Sequence, residues 1–292
     1  MLPSATEIVY ALGLDADLVA VTFECDEPPS ARIDKTVVVT GRDTSGMSAG
    51  DIDAYVRARL AAGEDLYKLD SGALAALEPE LILTQDLCRV CALPSGHVDQ
   101  ALEYLGCRAD VVSLDPHTLA EVLASIEEVG ARTGVAERAA RLVEQLHARL
   151  AAVAAAVSGR ARPRVAVLEW IEPPFTAGHW VPDLIIAAGG EPVACNPGQP
   201  SVATTWDQLA SARPDLVLVA PCGFHLDSAS EQAALVAPHF PGIPVWAIDA
   251  DGLVVRPGPR LVDGVETIAA ILHPAAFNTA IADRPEAARR VA

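Results

Sequence analysis

The chain has 292 residues, 51% hydrophobic and 21% charged, a composition typical of a globular protein long enough for two well-packed domains. Its formal net charge is −18 and it has only two lysines, Lys35 and Lys68. This composition argues against a nucleic-acid partner, because a protein that binds nucleic acid needs clustered basic residues on its surface. The sequence contains no run of about 18 apolar residues that would span a bilayer.

The first 117 residues alternate helix and strand signals and are predicted to form an N-terminal α/β lobe. The first helix is expected to be capped by Ser4 or Thr6, to run to Leu12 and to end at Gly13. Strands are predicted at 18–23, 36–40, 81–84 and 109–114, and further helices at 51–62 and 98–105.

Residues 118–160 are rich in Ala, Leu, Glu and Arg and are predicted to form a connecting helical segment. Gly130 and Gly134 interrupt this segment, and a single long helix follows from Val135 to Val157, roughly 30 Å in length. A helical connection of this kind predicts only a small movement between the lobes.

Residues 161–292 restart the α/β pattern and are predicted to form a C-terminal α/β lobe. Strands are predicted at 164–169 and 245–248 and helices at 181–188 and 260–272, and the tail after Pro274 is predicted to be either a short helix or frayed. The fold class is therefore predicted as α/β, with two Rossmann-like lobes that contain parallel-rich sheets and are joined by one long backbone helix.

One sequence pattern occurs twice, at residues 74–88 and 209–222. Aligned on Pro79 and Pro214, each copy has a short helix, a Pro-acid turn and a run of branched apolar residues that leads to a cysteine. Such runs are typical of buried parallel strands. Because ligands of open α/β sheets bind beyond the carboxyl ends of the strands, we expect functional residues in the loops that follow.

Four cysteines lie where predicted strands end: Cys25, Cys88, Cys91 and Cys222. Cys25 stands between Glu24 and Asp26, and Cys88 and Cys91 form a CxxC pair. Thiolates suit zinc, iron–sulfur and cuprous sites, but free cysteine is also a common small core residue. The sequence leaves both interpretations open.

The loop after the first strand of the second lobe carries Trp170, Phe175, His179 and Trp180, although only 4% of the chain is aromatic. Flat apolar walls with a few polar groups suit a large planar ligand. The alternative is that these side chains pack against their own lobe, and that His179 is satisfied by neighbouring groups.

Recognisable catalytic motifs are missing from the sequence: it has no GxSxG, Walker loop, HExxH or GxGxxG after a strand, which favours a binding protein over an enzyme. No signal peptide is recognisable at the start of the sequence. The expected location is cytoplasmic as the sequence stands, and periplasmic or cell-surface if the N terminus is truncated.

Several segments together resemble the helical-backbone (class III) periplasmic binding proteins, in particular their cobalamin-binding branch. The segments that carry the resemblance are 2–13, 24–29, 85–91, 178–182, 221–224 and 256–260. The resemblance extends over nearly the whole chain. It implies a two-lobed protein that holds its ligand in a cleft and delivers it to the membrane subunit of an ABC importer.

The resemblance implies a corrinoid such as cobalamin as the ligand. Its binding residues are expected to be Glu24, Asp26, Asp86, Trp170, Phe175, His179, Trp180 and Phe224. The alternative is a zinc or iron–sulfur site formed by Cys25, Cys88, Cys91 and Cys222, with enzymatic or sensory consequences. A haem or siderophore carrier is the third possibility.

Overall fold

The computed structural model describes residues 2–44, 46–85, 109–277 and 285–292. The chain divides into two compact units, one of Met1–Asp115 with Ser125–Ala139 and one of Pro116–Ala124 with Ala140–Ala292. The sequence predicted a different division, into an N-terminal lobe (1–117), a connecting segment (118–160) and a C-terminal lobe (161–292), and this division stays a prediction.

The first unit combines short helices with two small groups of strands. Its elements in chain order are α1 (Pro3–Ala11), β1 (Ala20–Thr22), α2 (Ser30–Asp34), β2 (Thr36–Gly41), α3 (Ala49–Ala61), β3 (Tyr67–Leu69), α4 (Ser71–Ala76), β4 (Leu81–Thr84) and β5 (Asp110–Ser113). Strand β1 is parallel to β2, β2 is antiparallel to β3, and β4 and β5 form a separate parallel pair. Val38, Val39, Leu74 and Ile82 form a common core between these elements.

Two helices carry the chain from one unit to the other, α5 (Leu119–Arg132) and α6 (Ala136–Val157). Gly134 separates them with a φ of 74°, in the left-handed region that glycine adopts without strain. The long helix predicted from Val135 to Val157 is confirmed, and so is the interruption at Gly134, whereas Gly130 lies within α5 and the interruption predicted there was wrong.

The second unit is built on one six-stranded sheet. Its elements are β6 (Arg164–Ile171), β7 (Pro174–Thr176), α7 (Val181–Ala187), β8 (Glu191–Val193), α8 (Trp206–Ser211), β9 (Leu216–Val219), α9 (Leu226–Val236), a 3₁₀ turn (Ala237–His239), β10 (Val245–Ile248), α10 (Ala250–Leu253), α11 (Leu261–Leu272) and β11 (Ala288–Arg290). The strand order is β11-β10-β9-β6-β7, and β8 pairs with the first part of β6. Strands β6, β8, β9 and β10 are parallel, whereas β7 and β11 are antiparallel additions at the two sides.

The duplicated sequence pattern gives two closely similar local structures. Each copy forms a short helix followed by a parallel strand, α4 with β4 and α8 with β9. The residue before each proline, Glu78 in one copy and Arg213 in the other, has a left-handed backbone with φ of 44° and 46°. Strand β9 is buried at all four positions, as its unbroken apolar sequence predicts.

Two local predictions were wrong. Helix α1 begins at Pro3 after Leu2, with no side-chain cap, and Ser4 and Thr6 are buried inside the helix. Proline tolerates the first helical position because that N–H needs no partner, so Pro3 starts the helix without a polar cap. The tail after Pro274 was predicted to be a short helix or frayed, but its last part forms β11, because Ala288–Arg290 pairs with the edge of β10.

The sequence patterns did not identify the short strands β3, β7 and β8. The predicted helix at 98–105 lies outside the described residues. Within the described part of the chain, no helix has the length and apolar character required to cross a membrane.

Candidate functional site

The parallel strands β6, β9 and β10 end at the same edge of the second unit's sheet. Three segments lie at this edge: residues 169–180, which include the end of β6 and the whole of β7, residues 220–225, and the turn at Asp249. In sheets of this type the carboxyl edge is where ligands bind. Five of the sequence-predicted ligand residues are in these segments: Trp170, Phe175, His179, Trp180 and Phe224.

Trp170, near the end of β6, and Phe224, in the loop after β9, form an aromatic pair. Their ring centroids are 5.6 Å apart and the rings meet edge to face at 72°. Both side chains are half-buried, so each retains an exposed apolar surface. The indole N–H of Trp170 donates to the carbonyl of Glu172 at 3.2 Å, which fixes the orientation of the ring. The sequence placed both residues at this edge, and the structure brings them into contact.

Carboxylates hold the loops of this edge in place. Glu169 accepts a hydrogen bond from the N–H of Gly178 at 2.8 Å, and the Glu169 carbonyl accepts one from the N–H of Cys222 at 3.2 Å. Asp251 accepts from the N–H of Gly223 at 2.9 Å and forms an ion pair of 2.9 Å with Arg256. The loop that carries Phe224 is therefore braced by a largely buried ion pair, in which each side chain is 11% exposed.

His179 has an unusual backbone conformation with a φ of 50°. Its N–H donates to the carbonyl of Gln199, and its own carbonyl accepts from the N–H of Gly198 at 2.9 Å. Left-handed backbone costs free energy in residues other than glycine, and such strain is concentrated at functional sites. The chain thus holds His179 in one defined position.

A second histidine, His117, lies beside His179. The two ring centroids are 5.5 Å apart with an interplanar angle of 64°. Burial lowers the pKa of His179, and the neighbouring His117 lowers it further. Both effects favour the neutral form of the His179 ring, in which one ring nitrogen carries a lone pair.

Trp180 and Phe175, which the sequence assigned to the ligand wall, have different environments. Trp180 is 6% exposed, and its indole N–H donates to the buried carbonyl of Val254 at 2.8 Å. Phe175 is half-buried in β7 and its backbone forms a bridge with Ala203. Trp180 therefore contributes to the packing of the second unit, and its role in ligand binding stays a prediction.

A cavity of about 250 Å³ lies next to the end of β7 and is lined in part by Cys195, Asn196 and Gln199. Burial raises the pKa of the Cys195 thiol to about 11, and the charge of Glu169 adds to the effect. This cysteine is therefore a protonated thiol at neutral pH. That state neither attacks an electrophile nor binds a metal.

Of the four cysteines of the metal hypothesis, the structure describes Cys25 and Cys222, and these two lie in different environments. Cys25 is 1% exposed and accepts a hydrogen bond from the hydroxyl of Thr6 at 3.1 Å, whereas Cys222 is exposed. Cys88 and Cys91 lie outside the described residues. Over the ranges that the structure describes, no group of three or more metal-binding side chains is found.

The predicted carboxylates of the first unit are only partly described. Glu24 is half-buried and its carboxylate lies 3.4 Å from the hydroxyl of Tyr67. Asp26 is also half-buried, and Asp86 lies outside the described residues. Their ligand role stays a prediction.

Sequence reasoning missed His117, Asp251 and the brace that Asp251 forms with Arg256. Asp251 follows β10 closely, and the rule that polar residues after parallel strands are functional would have pointed to it. His117 precedes a helix more than 60 residues before His179, and no local pattern in the sequence links the two.

The sequence profile of the periplasmic binding proteins matches residues 2–247. The chain belongs to the periplasmic binding protein family. Proteins of this family bind substrates and are not catalysts, which agrees with the prediction of a binding protein. No curated protein matches the chain.

Solved structures of this family are similar to the periplasmic binding protein described here over nearly its full length. The vitamin B12-binding protein of Vibrio cholerae is 22% identical, with a TM-score of 0.64 over 95% of this chain and 96% of that one. A heme-binding protein of Pseudomonas aeruginosa is 21% identical, with a TM-score of 0.68 over 94% and 91%. An ABC transporter substrate-binding protein of Listeria monocytogenes is 19% identical, with a TM-score of 0.69 over 94% and 97%. The predicted α/β fold with two lobes is thus confirmed.

Proposed function

We propose that this periplasmic binding protein carries a cobalt corrinoid such as cobalamin and delivers it to the membrane subunit of an ABC importer, on the outer side of the membrane. The observation that carries the proposal is the contact between Trp170 and Phe224 at the carboxyl edge of the second sheet. Proteins of similar fold bind vitamin B12 in one case and heme in another, so the ligand has to be argued from this site.

The aromatic pair suits one part of a corrinoid. A corrin macrocycle is broad and has apolar faces, and two aromatic rings that meet edge to face present a wide apolar surface to such a face. Aromatic side chains are scarce here, with four Trp and five Phe in 292 residues, so their contact at this edge is a concentrated source of apolar area.

The polar groups around the pair suit the periphery of the same ligand. Three exposed polar residues are near the two aromatic residues in the sequence: Glu172, Cys222 and His225. Their side chains offer hydrogen-bond partners to the amide side chains of a corrinoid. His225 is oriented by Asp249, whose carboxylate lies 2.9 Å from its Nδ1. A ligand with an apolar centre and an amide-rich rim matches this arrangement.

The metal or iron–sulfur hypothesis receives less support. Of its four cysteines, Cys25 is buried and already accepts a hydrogen bond from Thr6. Binding of a metal by the Cys25 sulfur would require opening of the core around α1. The corrinoid proposal requires no such opening.

The test is a calorimetric titration of hydroxocobalamin into the reduced protein, with hemin as the competing ligand. We expect one corrinoid per chain with a dissociation constant in the micromolar range or below. Trp170→Ala should weaken binding tenfold or more, because it removes one of the two rings. The matched control is Trp206→Ala. Trp206 stacks on His239, which follows the C-terminal end of α9, whereas Phe224 precedes the N-terminal end of this helix.

The outcomes separate the ligand classes. Equal loss of affinity in the Trp170 and Trp206 variants would mean that the pair is not the binding surface. Tight binding of hemin, together with no heat of binding for hydroxocobalamin, would mean that the ligand is haem and not a corrinoid. Absence of binding for both, with metal retained by the purified protein, would favour the cysteine site.

A further inference from the structure

A pair of histidines in the second unit has a geometry that the carrier function does not require. The ring centroids of His117 and His179 are 5.5 Å apart. In a tetrahedral complex with metal–nitrogen bonds of about 2.0–2.1 Å, the centroids of two imidazoles on one ion are separated by roughly 5.2 Å. The two rings therefore have the spacing of a shared metal ion without rearrangement of the backbone.

The backbone around both histidines is fixed by hydrogen bonds. The carboxylate of Asp183, four residues after His179, accepts from the N–H of Leu119, two residues after His117, at 2.9 Å. The carboxylate of Glu121 accepts from the N–H of His117 itself. The start of α5 and the start of α7 are thus tied together, so the spacing of the histidines is built into the fold.

The position of His179 is constrained further by its neighbours. The backbone φ of 50° is held by hydrogen bonds to both sides of the loop 198–199. Gly178 has no room for a side chain, because a Cβ there would lie 2.1 Å from the backbone nitrogen of Ser201. Left-handed backbone in a residue other than glycine costs free energy, and such strain is concentrated at functional sites.

The side chains remain accessible to a ligand from solvent. His117 is exposed and His179 is half-buried. The contact between the rings consists of an edge approaching a face, so a shared ion requires rotation about the side-chain bonds to turn a nitrogen of each ring to a common point.

From this geometry we infer that His117 and His179 together bind one divalent transition-metal ion of the class that prefers imidazole, such as Co²⁺, Ni²⁺ or Zn²⁺. Water molecules complete the coordination, since two protein ligands leave open positions. The proposed metal site does not include Trp170 or Phe224, so the metal inference and the corrinoid proposal can each fail without the other.

The test is a titration of Co²⁺ into the full-length reduced protein, followed by visible absorption and calorimetry. We expect d–d absorption bands and a site with a dissociation constant in the micromolar range. His117→Ala and His179→Asn should each weaken that site tenfold or more. Asparagine is chosen for His179 because it tolerates left-handed backbone and keeps the loop intact. His147→Ala, which removes an exposed histidine of α6, is the matched control and should bind Co²⁺ as the wild type does.

Two results would overturn the inference. The first is unchanged Co²⁺ affinity in both His117→Ala and His179→Asn. The second is a thiolate-to-cobalt charge-transfer band in the near ultraviolet that accounts for all of the bound metal, because it would assign binding to cysteine instead of imidazole. Circular dichroism of each variant verifies that it is folded, so a loss of affinity reports the site.

Discussion

Arg149 of α6 and Glu266 of α11 form a two-point ion pair, with Nε to Oε1 at 2.9 Å and Nη2 to Oε2 at 2.7 Å. The same guanidinium also contacts the carboxylate of Asp263, one helical turn earlier. The two carboxylates raise the pKa of Arg149 above its ordinary value, mainly through the hydrogen bonds with Glu266. This network fastens the long helix to the last helix of the second unit.

Replacing Arg149 by methionine should lower the free energy of unfolding by about 1 kcal/mol, because a bidentate network with partly buried partners is worth more than a simple surface pair. Lysine should recover only part of the loss, since an ammonium group cannot donate in parallel to both oxygens. Urea unfolding measures the effect, which should shrink as sodium chloride is raised to about 1 M.

The matched control is Arg132→Met, which breaks an exposed pair with Glu128 within one helix. Its cost should be about 0.3–0.5 kcal/mol. Equal effects of the two substitutions would contradict a special role for the network around Arg149.

The two tryptophans of the β6 to α7 segment should behave oppositely. Trp180→Phe leaves the buried carbonyl of Val254 without its donor and should destabilise the protein by about 1–3 kcal/mol. Trp170→Phe removes a donor to the exposed Glu172, where water replaces it, and should change stability by less than about 0.5 kcal/mol.

Chemical denaturation of both variants, followed by hydroxocobalamin titration, separates the two roles. We expect Trp180→Phe to move the unfolding midpoint and Trp170→Phe to leave it in place. A stability loss of similar size in both variants would show that Trp170 is a core residue and would weaken the proposed ligand surface.

The parts of the fold that the sequence predicted well are those whose signal is local and continuous. Strand β9 was predicted from its run of four apolar residues, all of which are buried in the structure. The long helix α6 was predicted because its periodicity is unbroken over 22 residues. Strand β11 was missed because Ala288–Arg290 is held by pairing with β10, a partner some 40 residues away that local propensity does not reveal.

The same distinction applies to the candidate site. Trp170 and Phe224 were predicted to lie at one edge because each follows a recognisable strand. Their contact, and that of His117 with His179, depends on the packing of loops from distant parts of the chain. The burial of Trp180 and its hydrogen bond to Val254 could likewise not be read from its residue type, and its role in ligand binding stays a prediction.

Cys195 should react slowly with alkylating reagents. Its pKa is raised from 9.0 to about 11 by burial and by the charge of Glu169. At pH 8 the thiolate fraction is then about 100-fold lower than for an ordinary thiol, and it should rise tenfold per pH unit up to pH 10. Mass spectrometry after timed reaction with iodoacetamide measures each cysteine separately, and the exposed Cys222 serves as the internal comparison.

Glu169→Gln should accelerate alkylation of Cys195 because it removes the neighbouring negative charge, while the amide oxygen retains an acceptor for the N–H of Gly178. A rate for Cys195 that matches Cys222 at pH 8 would contradict the buried, protonated state.

Adding a single methyl group at Gly178, next to His179, should disturb the conformation of the His179 loop. A Cβ at this position would lie 2.1 Å from the backbone nitrogen of Ser201 and 2.7 Å from the backbone carbon of Pro200. Because these are backbone atoms, the loop must move as a whole, and Gly178→Ala should cost about 1–3 kcal/mol of stability. Displacement of His179 should also weaken Co²⁺ binding tenfold or more.

The control is Gly72→Ala in α4, where the nearest atom to a Cβ is a side-chain oxygen of Asp70 at 3.6 Å, an ordinary contact. Alanine is the better helix former, so this variant should be as stable as the wild type or slightly more stable. Urea unfolding and Co²⁺ titration of both variants give the comparison. If Gly178→Ala unfolds at the wild-type midpoint and retains its Co²⁺ affinity, the close approach of the two loops does not hold His179 in place.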